Sequence, residues 1–234
     1  MKIIIIFTLI CSFLFQLKKI SAKQIAEHTE VWLHRGQEKS KDLQSTFKLV
    51  EKKSWSGVEL DIFFNKNDKI FYITHDYSNE SAKMLYRLND INQFEGKKLW
   101  LDFKNLKDVE FSDLSKLKDQ LKGIGKNNFI FVESQNFLKL KILQNRRVKS
   151  IFHLPIVSDN KLFLLSLKYF TNILNYDYVS VPYKQLSLVK DFFDKGRVVT
   201  FTVNSPETLC QLLKDNYTKV VLSKINPDKS KCKN

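Results

Sequence analysis

Past residue 28, short apolar runs alternate with stretches whose apolar residues recur at helical spacing. The runs are Val31–His34, Gly57–Phe64, Lys69–His75, Leu99–Phe103, Asn128–Glu133, Lys149–Leu154, Asp177–Val181, Val198–Val203 and Lys219–Leu222. Most are continuous and rich in β-branched or aromatic residues, as strands covered on both faces are. Helices are predicted over Ser40–Lys53, Ser112–Lys122, Asn136–Gln144, Asn160–Leu174, Tyr183–Lys195 and Pro206–Asp215. Ser205-Pro206-Glu207 opens the last of these with a cap and a proline at the first helical position.

One connection breaks the rhythm. Only Asn65-Lys66-Asn67-Asp68 separates the second and third runs. A parallel crossover needs about a dozen residues, so this pair is a β-hairpin. Without the return strand, eight strands remain, nearly all separated by helices. Eight β/α units on about 200 residues predict an α/β fold, a single TIM-type (β/α)8 barrel with a β-hairpin after strand 2. A doubly wound open sheet is the alternative. No second domain or internal repeat is apparent.

The N-terminus stands apart. Met1-Lys2 precedes a 13-residue apolar run, Ile3–Phe15. A bilayer span needs about 20 residues. Residues 1–22 therefore read as a signal peptide ending at Ile20-Ser21-Ala22, with an uncleaved N-terminal anchor through residues 3–15 as the alternative. Residues 23–234 form the barrel, and the protein is expected to be exported, periplasmic or secreted. Cys210 falls in an apolar helical pattern and Cys232 in a polar tail. Export allows a disulfide between them, but two unpaired thiols are the stronger expectation. No cysteine pair has metal-binding spacing.

Composition adds two constraints. Hydrophobic residues are 43% of the 234, with only 6 Gly and 4 Pro, which excludes a disordered or linker-rich chain. The formal charge is +14, and loss of residues 1–22, with three lysines, would leave +11. An anionic partner is allowed: phosphate esters, a membrane surface or nucleic acid. The lysines are scattered over predicted helix faces and turns, and no nucleic-acid motif occurs, so nucleic acid is not expected.

In a barrel, chemistry sits at the C-terminal ends of the strands. His34-Arg35-Gly36 ends the first strand; Glu59 and Asp61 lie on the second; Asp102 and Lys104 lie on the strand after the hairpin. Glu133 ends the next, His153 the one after, and Thr202 and Asn204 end the strand before the last. Residues two apart on a strand share a face, so Glu59 pairs with Asp61 and Asp102 with Lys104. Acids within apolar strands are costly unless paired or bound to a cation. Glu59, Asp61 and Asp102 together suit one hard divalent cation, Mg²⁺ or Ca²⁺. A buried salt-bridge set with Arg35 and Lys104 is the competing reading. With the hairpin tip at Asn67-Asp68, paired residue numbers sum to about 135. His75 then returns beside Glu59 and Asp61, and His34 arrives on the adjacent strand. Two histidines flanking a cation make an acid/base pair. Glu133 is open between a fourth ligand and a substrate contact, and His153 between the mouth and the core. His28 is expected to be inert.

These residues carry a resemblance. Leu33-His34-Arg35-Gly36, then Gly57-Val58-Glu59-Leu60-Asp61-Ile62, then Ile73-Thr74-His75-Asp76 resemble the glycerophosphodiester phosphodiesterase family. Trp100-Leu101-Asp102-Phe103-Lys104 is similar to its third metal-binding strand, and Phe201-Thr202-Val203-Asn204 to a late Trp-Thr-Val-Asn segment. The match runs from residue 31 to about 223. Gln37–Phe47 lacks the Pro-Glu-Asn segment common after His-Arg-Gly. Asp102 replaces a usual Glu, as in sphingomyelinase D and phosphatidylinositol-specific phospholipase C relatives. The insertion after His-Asp is shortened to Tyr77–Leu99. The resemblance implies a metal-dependent phosphodiester hydrolase. Glu59, Asp61 and Asp102 would hold the cation, Arg35 and Lys104 would contact the phosphate, His34 would act as base and His75 as acid. The expected partner is a small-molecule glycerophosphodiester, or a lysophospholipid, met by a monomer with a membrane surface allowed. A catalytically inactive barrel that binds anionic lipid or another partner is the rival from a different class.

Overall fold

The computed structural model describes residues 28–38, 42–75, 77, 86–155, 160–226 and 232. The expected leader 1–22, the helix start at Ser40 and residue Asp76 lie outside them. Nine strands form one sheet: β1 (Glu30–Leu33), β2 (Gly57–Asn65), β3 (Ile70–Ile73), β4 (Lys98–Phe103), β5 (Phe129–Ser134), β6 (Val148–His153), β7 (Tyr178–Pro182), β8 (Val198–Val203) and β9 (Val220–Ser223). Their order is β1-β9-β8-β7-β6-β5-β4-β2-β3, and β1 also pairs with β2. Eight parallel strands thus close a barrel, and β3 lies outside it, antiparallel on β2. This is the TIM-type architecture that the sequence predicts. Phe63 pairs with Tyr72 and Ile62 with Ile73, in the register that returns His75 toward the acids.

The helices are α1 (Leu43–Lys52), α2 (Phe111–Ile124), α3 (Phe137–Leu143), α4 (Lys161–Ile173), α5 (Leu186–Val189) and α6 (Pro206–Asp215). Four have the local signal that starts a helix. Asp42, Asn136, Asn160 and Ser205 each accept a backbone N–H from the first turn. Among the described residues no helix is long and apolar enough to cross a membrane.

Two expectations are corrected. Tyr183–Lys195 is not one helix: a 3-10 turn at Tyr183–Gln185 leads into the single turn of α5. The Tyr217 hydroxyl donates to the carbonyl of Lys190 at 3.0 Å and to that of Phe193. The single hydroxyl proton is shared between these two carbonyls, where the chain turns instead of continuing the helix. The second correction is a disulfide between Cys210 and Cys232. It ties α6 to the chain beyond β9, a meeting that an apolar pattern and a polar tail do not announce.

The apolar residues divide between two packing zones. Val31, Leu33, Val58, Leu60, Ile62, Leu99 and Leu101 face the helices. Trp32, Trp100, Phe131, Ile151, Val199, Val220 and Leu222 fill the barrel interior, where Trp32 and Phe131 stack at 5.1 Å. Successive side chains alternate across a strand. The interior strand positions two residues beyond Trp100, Phe131 and Ile151 are therefore Asp102, Glu133 and His153. The aromatic plug fixes the floor on which a polar layer stands.

Candidate active site

Two glycines set the backbone under this layer. A Cβ on Gly57 would lie 2.6 Å from Trp32 Cδ2. A Cβ on Gly36 would lie 2.2 Å from Val58 Cγ2 and 2.9 Å from Thr46 Cγ2. The turn after β1 therefore presses directly against β2 and α1. That contact brings His34 and Arg35 over the acids of β2. Arg35 has φ +51, a left-handed conformation that costs a non-glycine residue about 1–2 kcal/mol. Its backbone N–H donates to Glu59 Oε2 at 2.6 Å. Its guanidinium donates to Glu38 Oε1 at 3.1 Å and to His75 Nε2 at 2.6 Å.

Glu59, Asp61 and Asp102 bring one carboxylate oxygen each to within 4.8 Å of one another. They lie on neighbouring strands, with Asp61 directly beside Asp102 in the parallel register. Glu59 and Asp61 are buried, and Asp102 is partly exposed toward the mouth. Lys104 reaches Asp61 Oδ1 at 2.6 Å and also bonds Asp102. Gln37 Nε2 donates to Asp61 Oδ2 at 2.5 Å. Among the described residues Lys104 makes the closest cation contact with this set, with Arg35 Nε farther off, 3.8 Å from Asp61 Oδ2. The charge balance is visible in the titration. Burial, then the charges of Asp61 and Asp102, hold Glu59 well above the usual carboxylate range. Burial, then Glu133, push Asp102 to about 7. Burial acts on Asp61 in the same direction, but Lys104 outweighs it and holds it low. A divalent cation among these three would remove the repulsion that raises Glu59 and Asp102. An oxygen-only donor set is the chemistry that Mg²⁺ or Ca²⁺ takes.

The histidines differ in state. His34 Nε2 lies 4.0 Å from Glu59 Oε2 and 3.3 Å from Thr202 Oγ1. Burial, then the positive charge of Arg35, lower its pKa to about 4, so the ring is neutral at pH 7. Arg35 has donors only. In this arrangement His75 Nε2 therefore accepts, and the ring proton sits on Nδ1.

His153 joins a second cluster. Its Nδ1 lies 2.9 Å from Glu133 Oε1, Trp100 Nε1 donates to Glu133 Oε2 at 2.7 Å, and the Ser180 hydroxyl also donates to Glu133. Burial opposes charge on both partners, but their mutual attraction outweighs it: Glu133 titrates low and His153 high. Glu133 is thus engaged by the wall, beside the acidic triad rather than in it. Asn204 stands exposed just after β8, and His28 is exposed before β1. The sequence reading did not single out Gln37, Trp100 or Ser180.

No protein-family model and no curated protein matches the chain. Solved structures do. An Oleispira antarctica phosphodiesterase, solved in complex with the product sn-glycerol-3-phosphate, superposes with TM-score 0.65 at 15% identity, covering 88% of this chain and 96% of that one. A glycerophosphodiester phosphodiesterase from Parabacteroides distasonis superposes with TM-score 0.65 at 13% identity, covering 87% and 96%. The chain has their fold. A tryptophan synthase α-subunit from Pyrococcus furiosus superposes less closely, with TM-score 0.52 at 12% identity over 86% and 88%. This barrel fold therefore hosts more than one reaction, and function must be argued from the residues at its mouth.

Proposed function

We propose that the protein is a divalent-cation-dependent phosphodiester hydrolase acting on glycerophosphodiesters, with lysophospholipids as the second substrate class. The observation that carries this reading is the convergence of Glu59, Asp61 and Asp102 with His34, His75, Arg35 and Lys104 at one end of a barrel with this fold. Glu59, Asp61 and Asp102 would hold the cation, which would supply Lewis acidity to the phosphodiester. The substrate phosphate competes with Glu38 and His75 for the Arg35 fork, and Lys104 adds a point charge. His34, neutral at pH 7, takes the proton of the attacking water or substrate hydroxyl at Nε2. His75, released from Arg35, takes a proton from solvent at Nε2 and passes it to the leaving alcohol, keeping its Nδ1 proton. Gln37 and Thr202 orient Asp61 and His34. The apolar run Ile3–Phe15 and the Cys210–Cys232 disulfide support an exported protein.

The test is product release from glycerophosphocholine, glycerophosphoinositol, lysophosphatidylcholine and sphingomyelin, with Mg²⁺, Ca²⁺ or chelator. His34→Ala and His75→Ala should each lower turnover by about 10²-fold or more with unchanged circular dichroism. Chelator should abolish release. Full turnover in both variants would reject the acid/base assignment. Cation binding without release of any product would shift the reading to a barrel that binds anionic lipid without cleaving it.

A further inference from the structure

Helix α4 is apolar on both sides. Its inner face, with Leu164 and Thr171 fully covered, packs on the barrel. Its outer face carries Leu162, Leu165, Tyr169 and Ile173, which are 77%, 51%, 62% and 66% exposed. At 100° per residue these four fall within one narrow stripe along the helix. Neighbouring α3 packs against α4 through Phe137 and Phe170, rings 5.3 Å apart, and adds Leu138 and Ile142, 57% and 38% exposed. A helix that is hydrophobic all round is ordinarily covered all round, and exposed apolar surface of this continuity marks a contact site.

The charge around it is one-sided. Residues 135–176 contain one acid, Asp159, against Lys139, Lys141, Arg146, Arg147, Lys149, Lys161 and Lys168. The whole chain, by comparison, has 25 acids to 39 bases. Lys161 and Lys168 lie on the flank of the apolar stripe. An apolar face edged by lysines that outnumber the acids around it, Asp159 before the helix and Asp177 paired with Lys149, is the pattern of a helix that lies in a lipid headgroup layer. A protein partner complementary to this face would have to be both acidic and apolar, whereas an anionic bilayer presents both properties at once.

We propose that the outer face of α4, with the adjoining face of α3, docks on an anionic phospholipid bilayer. The apolar side chains enter the headgroup boundary, and the lysines meet the lipid phosphates. This docking does not depend on the reading of the catalytic site, because it is measured without turnover.

The experiment is sedimentation of the full chain with sucrose-loaded phosphatidylcholine vesicles, either pure or containing about 30% phosphatidylglycerol. The wild type should bind the phosphatidylglycerol vesicles and not the pure ones, and binding should weaken as salt rises. The triple variant L162Q/L165Q/I173Q should lose about tenfold or more of this binding, with unchanged circular dichroism. K161Q/K168Q should weaken binding at low salt. Residues 1–27 are present in every protein compared, so binding retained by the triple variant would belong elsewhere and overturn the proposal. Equal binding to both vesicle types would also overturn it. So would a wild type that ignores vesicles but sediments as a dimer, with the triple variant monomeric: the face would then belong to a second copy of the chain.

Discussion

The neutral state of His34 follows from its surroundings, not from its identity. Burial and the Arg35 charge both disfavour the imidazolium, and Asp61 only partly opposes them. A general base works while it is unprotonated, so turnover falls as pH drops through its pKa. The acidic limb of the kcat/KM profile should therefore centre near 4, well below the 6.5 of an ordinary histidine. A pH-rate profile at two saturating cation concentrations checks this: because Asp102 itself titrates near 7 without the ion, only a limb near 6.5 that does not move with cation would assign the base elsewhere. The charged candidates were legible because a charge inside an apolar strand is conspicuous. Gln37 was not: an uncharged amide in an irregular turn carries neither a periodic signal nor a charge signal. Its contact with Asp61 depends on how the turn after Gly36 folds back. The pairing of Glu133 with His153 was hidden differently, since each residue alone fitted more than one role.

At the scale of elements, the hairpin was read correctly because four residues admit no other connection, and its tip sets the register by counting. The eight barrel strands were legible as continuous apolar runs. Their ends were less so: Lys69 has φ +57 and belongs to the turn, so β3 is shorter than its apolar run. The end of α5 meets a hydroxyl 27 residues away in sequence, beyond the reach of local periodicity. The turn after β1 gives a sharper test. Gly36 has no room for a side chain because Val58 and Thr46 occupy the space. Gly36→Ala should therefore cost about 1–3 kcal/mol of stability, read from urea unfolding, and displace Arg35 from Glu59. Gly96, with nothing within 4 Å of a built Cβ but φ +68, is the control in which any cost is conformational instead of steric. A Gly36→Ala protein as stable as wild type would mean that the turn does not press on β2 as described.

For the whole molecule, barrel closure rests on β9 lying between β8 and β1. The Ser223 carbonyl accepts the His34 backbone N–H at 3.0 Å, which couples that closure to the active turn. The Cys210–Cys232 disulfide brackets β9, joining the helix before it to the chain after it. Reduction, or Cys210→Ser with Cys232→Ser, should lower the unfolding free energy by about 2–4 kcal/mol, measured by denaturant titration. Turnover at low temperature should persist, because α6, which carries Cys210, contributes none of the site residues. Equal stability of the oxidised and reduced forms would show that the bond does not restrain the closing strand.

The barrel also divides its labour along the chain. His34, Arg35, Glu59, Asp61, His75, Asp102 and Lys104 all come from its first half, from β1 through the end of β4. The second half supplies the rest of the wall, the Glu133–His153 pair and the uncovered flank of α3 and α4. Inherited changes therefore differ in effect with where they fall. Drift on the outer faces of α3 and α4 touches none of these seven residues, whereas drift at Glu133, Thr202 or Ser223 reaches the site through Asp102 and His34. Drift at the seven first-half residues can retire the chemistry and leave the outer faces of α3 and α4 unchanged.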